Sequence, residues 1–281
     1  MGKLLWQYAL PAVASQVVTS IYNIVDRIFL GNSIGDGKML LAALTITFPV
    51  MNIIHAFGSL VGAGSSARMS IVLGRKDVRW AEKILGNGVT MLIIFTVVLM
   101  LFFYSFKRPL LYLFGASDAT IGYASDYISI YLAGTIFVEL ALGLNAFIIS
   151  QGQSRCAMIA VLLGAVANIV LDPVLIFGFG MGVRGAAVAT VISQALSAAW
   201  TVGFLISKRS SLSIKWKAMK PEFSIIGRTM ALGVSPFIMR ATESLISIVM
   251  NSGLQRYGGD VYVGSLTIMQ SVMQMYSAPL G

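Results

Sequence analysis

Asn168 and Asp172 stand four residues apart in an otherwise apolar stretch, Asn168-Ile169-Val170-Leu171-Asp172-Pro173. That spacing sets both side chains on one face of a helix. Pro173 has no N–H and leaves the carbonyl of Ile169 without its helical partner. A carboxylate, an amide oxygen and a freed carbonyl within one turn are hard-oxygen ligands, suited to a small cation or a proton. A capped helix kink is the competing reading of the same residues. No second carboxylate, His or Ser-His set shares this face to support hydrolysis. With one His and one Cys in the chain, a zinc site of the usual ligand sets is excluded.

Other ionisable residues also interrupt apolar stretches: Asp26, Arg27, Arg68, Asp126, Glu139, Arg240 and Glu243. At bilayer depth such a group costs at least a few kcal/mol, which makes each one a functional candidate. Asp26 and Arg27 have a neighbouring ion pair or snorkelling as their alternative. Arg68, close to Arg75, reads as snorkelling, and Asp126 as solvated at a span edge. Glu139 and Arg240 stay open between an interhelix pair and a direct role.

The elements that must position these groups are helices in a membrane. Of 281 residues, 57% are apolar and only 11% charged, against roughly a quarter charged in soluble proteins. The net charge of +9 is spread between apolar runs rather than gathered on one face, so nucleic acid is not the partner. A crossing helix needs about 20 apolar residues, and eight spans are predicted, near 8–30, 40–73, 84–106, 123–149, 156–179, 185–207, 224–253 and 262–281. The second is too long for an upright span, so tilt or an extension beyond the bilayer is expected. The first is too long for a signal peptide and lacks a cleavage site. The alternation of barrel strands is absent. The fold class is therefore all-α, a polytopic membrane helical bundle.

Twelve Lys and Arg fall on one side of these spans, among them Lys3, Arg75, Lys76, Arg79, Arg155 and Lys215, and five on the other. This bias puts the N-terminus in the cytoplasm. The basic stretch 208–220 reads as a topology signal, with contact to anionic lipid as its alternative. Dense small residues in Gly58–Ala67 and Gly185–Thr190 read as close helix packing. Shifting the sequence by 222 residues aligns Ala9-Leu10 with Ala231-Leu232, Leu44-Thr45-Ile46 with Leu266-Thr267-Ile268, and Val50-Met51 with Val272-Met273. Six spans per copy implies two parallel repeats about an axis along the membrane normal. The expected domains are a six-helix lobe, 1–207, a cytoplasmic basic linker, 208–223, and the first two helices of a second lobe, 224–281. On this reading the chain ends inside the eighth span of a protein of about 440 residues, twice the repeat period.

The stretches Ala9–Gly31, Leu73–Asp77 with Ala81-Glu82, Asn145–Ser154, Ala167–Pro173, Gly185–Gln194 and Ser265–Gly281 resemble the multidrug and toxic compound extrusion (MATE) family, and in detail its bacterial DinF-type branch. The matches run from end to end in the family's order. The resemblance implies twelve helices in two six-helix lobes. It implies alternating access, with inward sodium or proton movement driving export of organic cations and other amphipathic drugs. It places a cation-coupling site, for sodium or a proton, on Asp26, Asn168, Asp172 and Thr190. Tyr127 and Asn145 would line the drug cavity. Glu243, ten residues after Gly233, matches an acid important for coupling in another branch.

The implied setting is the plasma membrane, as a multi-pass monomer in contact with lipid, without an organic cofactor. A lipid-linked sugar flippase of the same superfamily is the alternative; such relatives carry several basic residues in the central cavity, where the candidates here are acidic or neutral. A membrane enzyme would need a clustered catalytic set that the sequence lacks. A channel fits paired lobes with buried acids less well than a transporter does.

Overall fold

A computed structural model describes residues 2–32, 37–207 and 209–277, and their side chains except at 2–10, 12 and 274–277. Lys208 and the last residues of the eighth expected span, 278–281, lie outside the described residues. The chain forms α1 (Gly2–Gly31), α2 (Gly37–Gly74), α3 (Val78–Leu113), α4 (Ile121–Ala133), α5 (Thr135–Ser150), α6 (Ser154–Pro173), α7 (Val183–Ile206), α8 (Phe223–Gly258) and α9 (Asp260–Ser277). A π-helical turn, Val174–Gly178, continues α6, and a 3-10 turn, Trp216–Met219, precedes α8. Among the described residues five helices are long and apolar enough to cross a membrane, or six if α4 and α5 form one bent span. The sequence predicts eight; α1 and α9 are the two that fall short by that measure. In α1 the cause is a polar face of Ser15, Thr19, Asn23 and Asp26, which turns toward a cavity rather than lipid.

The fourth expected span, 123–149, is two helices that meet at Gly134 with a 57° bend. Gly134 packs against Val191 of α7, where any Cβ would collide with that side chain. The missing Cβ lets α7 press on the backbone and bend it. At Pro173 the helix does not stop but loosens into the π turn, a distortion often found beside functional sites.

The centre of the bundle is α2, which packs against α8, α5, α3 and α9. At its crossing with α8 the backbones nearly touch. A Cβ on Gly233 would strike the Leu60 carbonyl, and one on Gly64 the Thr229 carbonyl. Pro49 has no N–H to bond the Thr45 carbonyl, and Asn251 of α8 donates to that oxygen instead, at 3.1 Å. Ser244 donates to the Pro49 carbonyl at 2.9 Å. Thr45 and Thr267, the pair superposed by the 222-residue shift, are hydrogen-bonded hydroxyl to hydroxyl. The loop before α8 is fastened to α3: Asn87 accepts from the Glu222 N–H at 2.7 Å and donates to the Ala218 carbonyl at 3.3 Å.

Candidate cation site and central cavity

Ser15, Thr19, Tyr22, Asn23 and Asp26 follow helical spacing along one side of α1 and line a cavity of about 1210 Å³. Its other walls come from α2, α4, α5, α6, α7, α8 and α9, with Phe48, Met51, Leu142, Ile246 and Met269 among the apolar lining. The geometry therefore combines a wide, mostly apolar chamber with a few convergent polar groups.

In the wall where α1 meets α6, Asp26 (9% exposed) and Asp172 (0%) lie within interaction range of each other. Asn168, 2% exposed, donates through Nδ2 to Asp172 Oδ1 at 3.2 Å. The helical spacing read from the sequence thus has its expected result. Thr190 of α7 lines the cavity and is within hydrogen-bonding reach of the buried Tyr127 hydroxyl. Tyr127 stacks on Tyr131 at 6.3 Å.

Three oxygens at this wall, Asp26 Oδ1, Asp172 Oδ2 and Asn168 Oδ1, are buried and accept no hydrogen bond. All are hard ligands of the kind a sodium ion or a proton takes. Among the described residues no three His, Cys, Asp or Glu side chains converge for a metal ion, so any cation here would rest on two carboxylates and neutral oxygens.

The ionisable residues sort differently from the sequence reading at several points. Arg27 does not form an ion pair with Asp26. It donates to the Thr267 carbonyl at 3.2 Å and to Ser271 at 2.5 Å, and lies over the Phe48 ring. Arg68, expected to snorkel, is 8% exposed and donates to the Ile225 carbonyl of α8 at 3.3 Å. The carbonyl takes one of the guanidinium N–H groups inside the bundle, and the Trp80 ring lies beneath the group at 5.8 Å. Asp126 is held by Arg184 at 2.9 Å on an exposed edge. Glu139 and Arg240 form no ion pair with each other: Arg240 lines the cavity, whereas Glu139 is fully buried away from it. Asn145 lines the cavity with its Oδ1 unpartnered. Glu243 also lines it, from α8, outside the Asp26–Asp172 cluster.

Sequence reasoning missed Tyr22, His55 and Tyr131. Tyr22 is one turn before Asp26 and electrostatically coupled to both aspartates; its signal was the i,i+4 spacing from Asp26. Tyr131 and His55 Nε2 are 3.0 Å apart at the cavity wall.

Apolar helices thus surround a polar-studded chamber, with two carboxyls buried where α1 meets α6. The chain belongs to the MatE family, whose model matches residues 11–174, and this is a family of transporters rather than enzymes. It is 28% identical over 256 residues to the multidrug export protein MepA of Staphylococcus haemolyticus (strain JCSC1435), covering 91% of this chain and 56% of that protein. A dye-bound structure of the MATE multidrug transporter DinF-BH superposes with a TM-score of 0.94 at 34% identity, covering 100% of this chain and 62% of that one. An inward-facing MATE family transporter of the MOP superfamily matches with a TM-score of 0.87 at 26% identity, over 94% of this chain and 59% of that one. The chain thus spans less than two thirds of the length of these relatives.

Proposed function

We propose that this chain is part of a cation-coupled multidrug antiporter that exports organic cations and amphipathic compounds by alternating access. The reading is carried by three unpartnered oxygens where α1 meets α6: those of Asp26 and Asn168, which line the cavity, and of Asp172, fully buried beside them. In a low-dielectric site two ionised carboxylates repel strongly. A sodium ion or proton, when bound, supplies the positive charge that relieves this repulsion. Asp26 and Asp172 hold that charge, and Asn168 and Thr190 complete the shell with neutral oxygens. Occupied and empty states then differ in how well the α1–α6 wall holds together, and that difference can bias one facing of the cavity over the other.

On the same reading, residues 1–207 form the first lobe, 208–223 the cytoplasmic linker and 224–281 the start of the second lobe. The N-terminus lies in the cytoplasm and the protein in the plasma membrane. Tyr127, Asn145 and Glu243 contribute polar contacts to the drug, and Phe48 and Met51 contribute apolar area. A lipid-linked sugar flippase would need several free bases here. The described lining holds Arg27 and Arg240, and Arg27 is already engaged by Thr267 and Ser271, so the exporter reading is preferred.

The test is efflux of a cationic rhodamine dye from vesicles holding the full-length protein, driven separately by a sodium gradient and by a pH gradient. Asp172→Asn keeps the size and the bond to Asn168 but removes the charge. We expect a folded protein without efflux under either gradient, and a smaller loss for Thr190→Val. Wild-type rates in Asp172→Asn would reduce Asp172 to a structural kink residue.

A further inference from the structure

Glu139 lies on α5, five residues beyond the bend at Gly134, with 0% of its surface exposed. Neither carboxyl oxygen has a hydrogen-bond partner. The side chain fits against α2 because residue 58 is glycine: a Cβ there would lie 3.2 Å from Oε2. The Gly58 backbone lies alongside it, yet neither carboxyl oxygen meets the geometry of a hydrogen bond. Among the described residues no ion pair reaches Glu139 from α2, α3, α6 or α7. From α4 the nearby titratable group is Tyr131, which feels the Glu139 carboxyl. Tyr131 in turn meets His55 of α2, and His55 feels Arg240 of α8.

An ionised carboxylate without donor or counter-charge cannot be sustained in such surroundings. The group must therefore carry a proton in this conformation. A permanently neutral acid with no hydrogen bond would be a poor core residue, since an apolar side chain of similar volume would cost less. Its position on α5 gives it a way out. Val138, Leu142 and Asn145 line the cavity, and consecutive helical residues are about 100° apart around the axis. Glu139 thus lies one residue from a cavity-lining position, on a helix that starts at the Gly134 bend.

We propose that Glu139 is a second proton-carrying site of the first six helices, separate from the Asp26–Asp172 pair. It is loaded while packed on Gly58 and unloaded when α5 turns about the Gly134 bend and brings it to the cavity. The exchange is a simple acid dissociation: the O–H bond breaks, the carboxylate keeps the electron pair, and the proton passes to cavity water beside Tyr131 and His55. This rests on the exporter reading, because it assigns a driving proton to the same transport cycle.

The test uses the full-length protein in lipid nanodiscs and in vesicles. Infrared spectra should show a protonated-carboxyl stretch that titrates with pH, is absent from Glu139→Gln and is retained in Asp172→Asn. In vesicles, Glu139→Gln should lower rhodamine efflux driven by a pH gradient roughly tenfold, within the range of single coupling interactions, and flatten its pH profile; Glu139→Asp should restore part of both. A Glu139→Gln protein with wild-type rate and pH profile would overturn the proposal. So would a carboxyl band that is missing or never titrates. Because the infrared titration is read without transport, it decides the Glu139 site even where dye efflux itself fails and the exporter reading falls.

Discussion

Replacing Asn87 with Ala unfastens the loop before α8 from α3, and the size of the effect follows from the bonds removed. Asn87 is 1% exposed; it accepts from the Glu222 N–H at 2.7 Å and donates to the Ala218 carbonyl at 3.3 Å. Each bond is worth about 1 kcal/mol net. The remaining fasteners include the Glu82 carboxylate, which accepts from Lys215 at 2.7 Å and Ser213 at 3.3 Å, the Thr90 bond to the Met219 carbonyl at 2.7 Å and the Lys83–Glu222 ion pair. That ion pair is 45%/38% exposed, so it stabilises little. Losing about 2 kcal/mol raises the open population of the loop roughly 30-fold. Hydrogen exchange followed by mass spectrometry in nanodiscs should show that loss of protection at 216–222, with α6 and α7 unchanged. Tryptic cleavage after Lys217 should accelerate in parallel. Protection within about threefold of wild type, a difference below 1 kcal/mol, would refute the reasoning and assign the loop's hold to burial of Leu212 instead.

Two further expectations concern packing and topology. Gly233→Val should lower the thermal midpoint of the purified protein, because the new side chain collides with the Leu60 backbone and the two helices must part, a cost of about 1–3 kcal/mol. Gly227→Ala, with nothing within 4 Å of its Cβ, is the matched control and should leave the midpoint unchanged. A cysteine at Lys76, in the exposed turn after α2, should react with an impermeant thiol reagent only after cells are permeabilised, while one at Gly180 should react in intact cells; the reverse pattern would invert the orientation read from Lys and Arg.

Long charge-free runs made the helices legible, since few other structures bury such segments. Their ends were less so. The sequence places the third span at 84–106, but α3 is Val78–Leu113, because Arg79, Lys83, Lys107 and Arg108 are good helix formers whose charged heads reach polar surroundings. The bend at Gly134 is invisible in the sequence for a different reason: glycine is common in membrane helices, and only the contact with Val191 marks this one as the site of a bend. At the candidate site, Asp26, Asn168 and Asp172 stood out as polar groups among apolar neighbours. Tyr22, Tyr131 and His55 did not, because an aromatic in an apolar run looks the same whether it faces lipid, core or cavity. The engagement of Arg27 with Thr267 and Ser271 joins residues some 240 positions apart, which no local pattern records.

The Thr45–Thr267 contact has a consequence for which side chains that point can accept. On the repeat reading proposed for this chain, Thr45 faces its own counterpart, and such a junction must be self-complementary. A lysine or aspartate there would confront its own charge, and a tryptophan, a donor only, would find no acceptor. A threonine hydroxyl both gives and takes a hydrogen bond, so two of them satisfy each other whichever donates. Either hydroxyl can also turn to the Leu41 carbonyl, which both reach. The junction therefore has interchangeable hydrogen-bond arrangements, and it can shift between them as the helices move without leaving a polar group stranded.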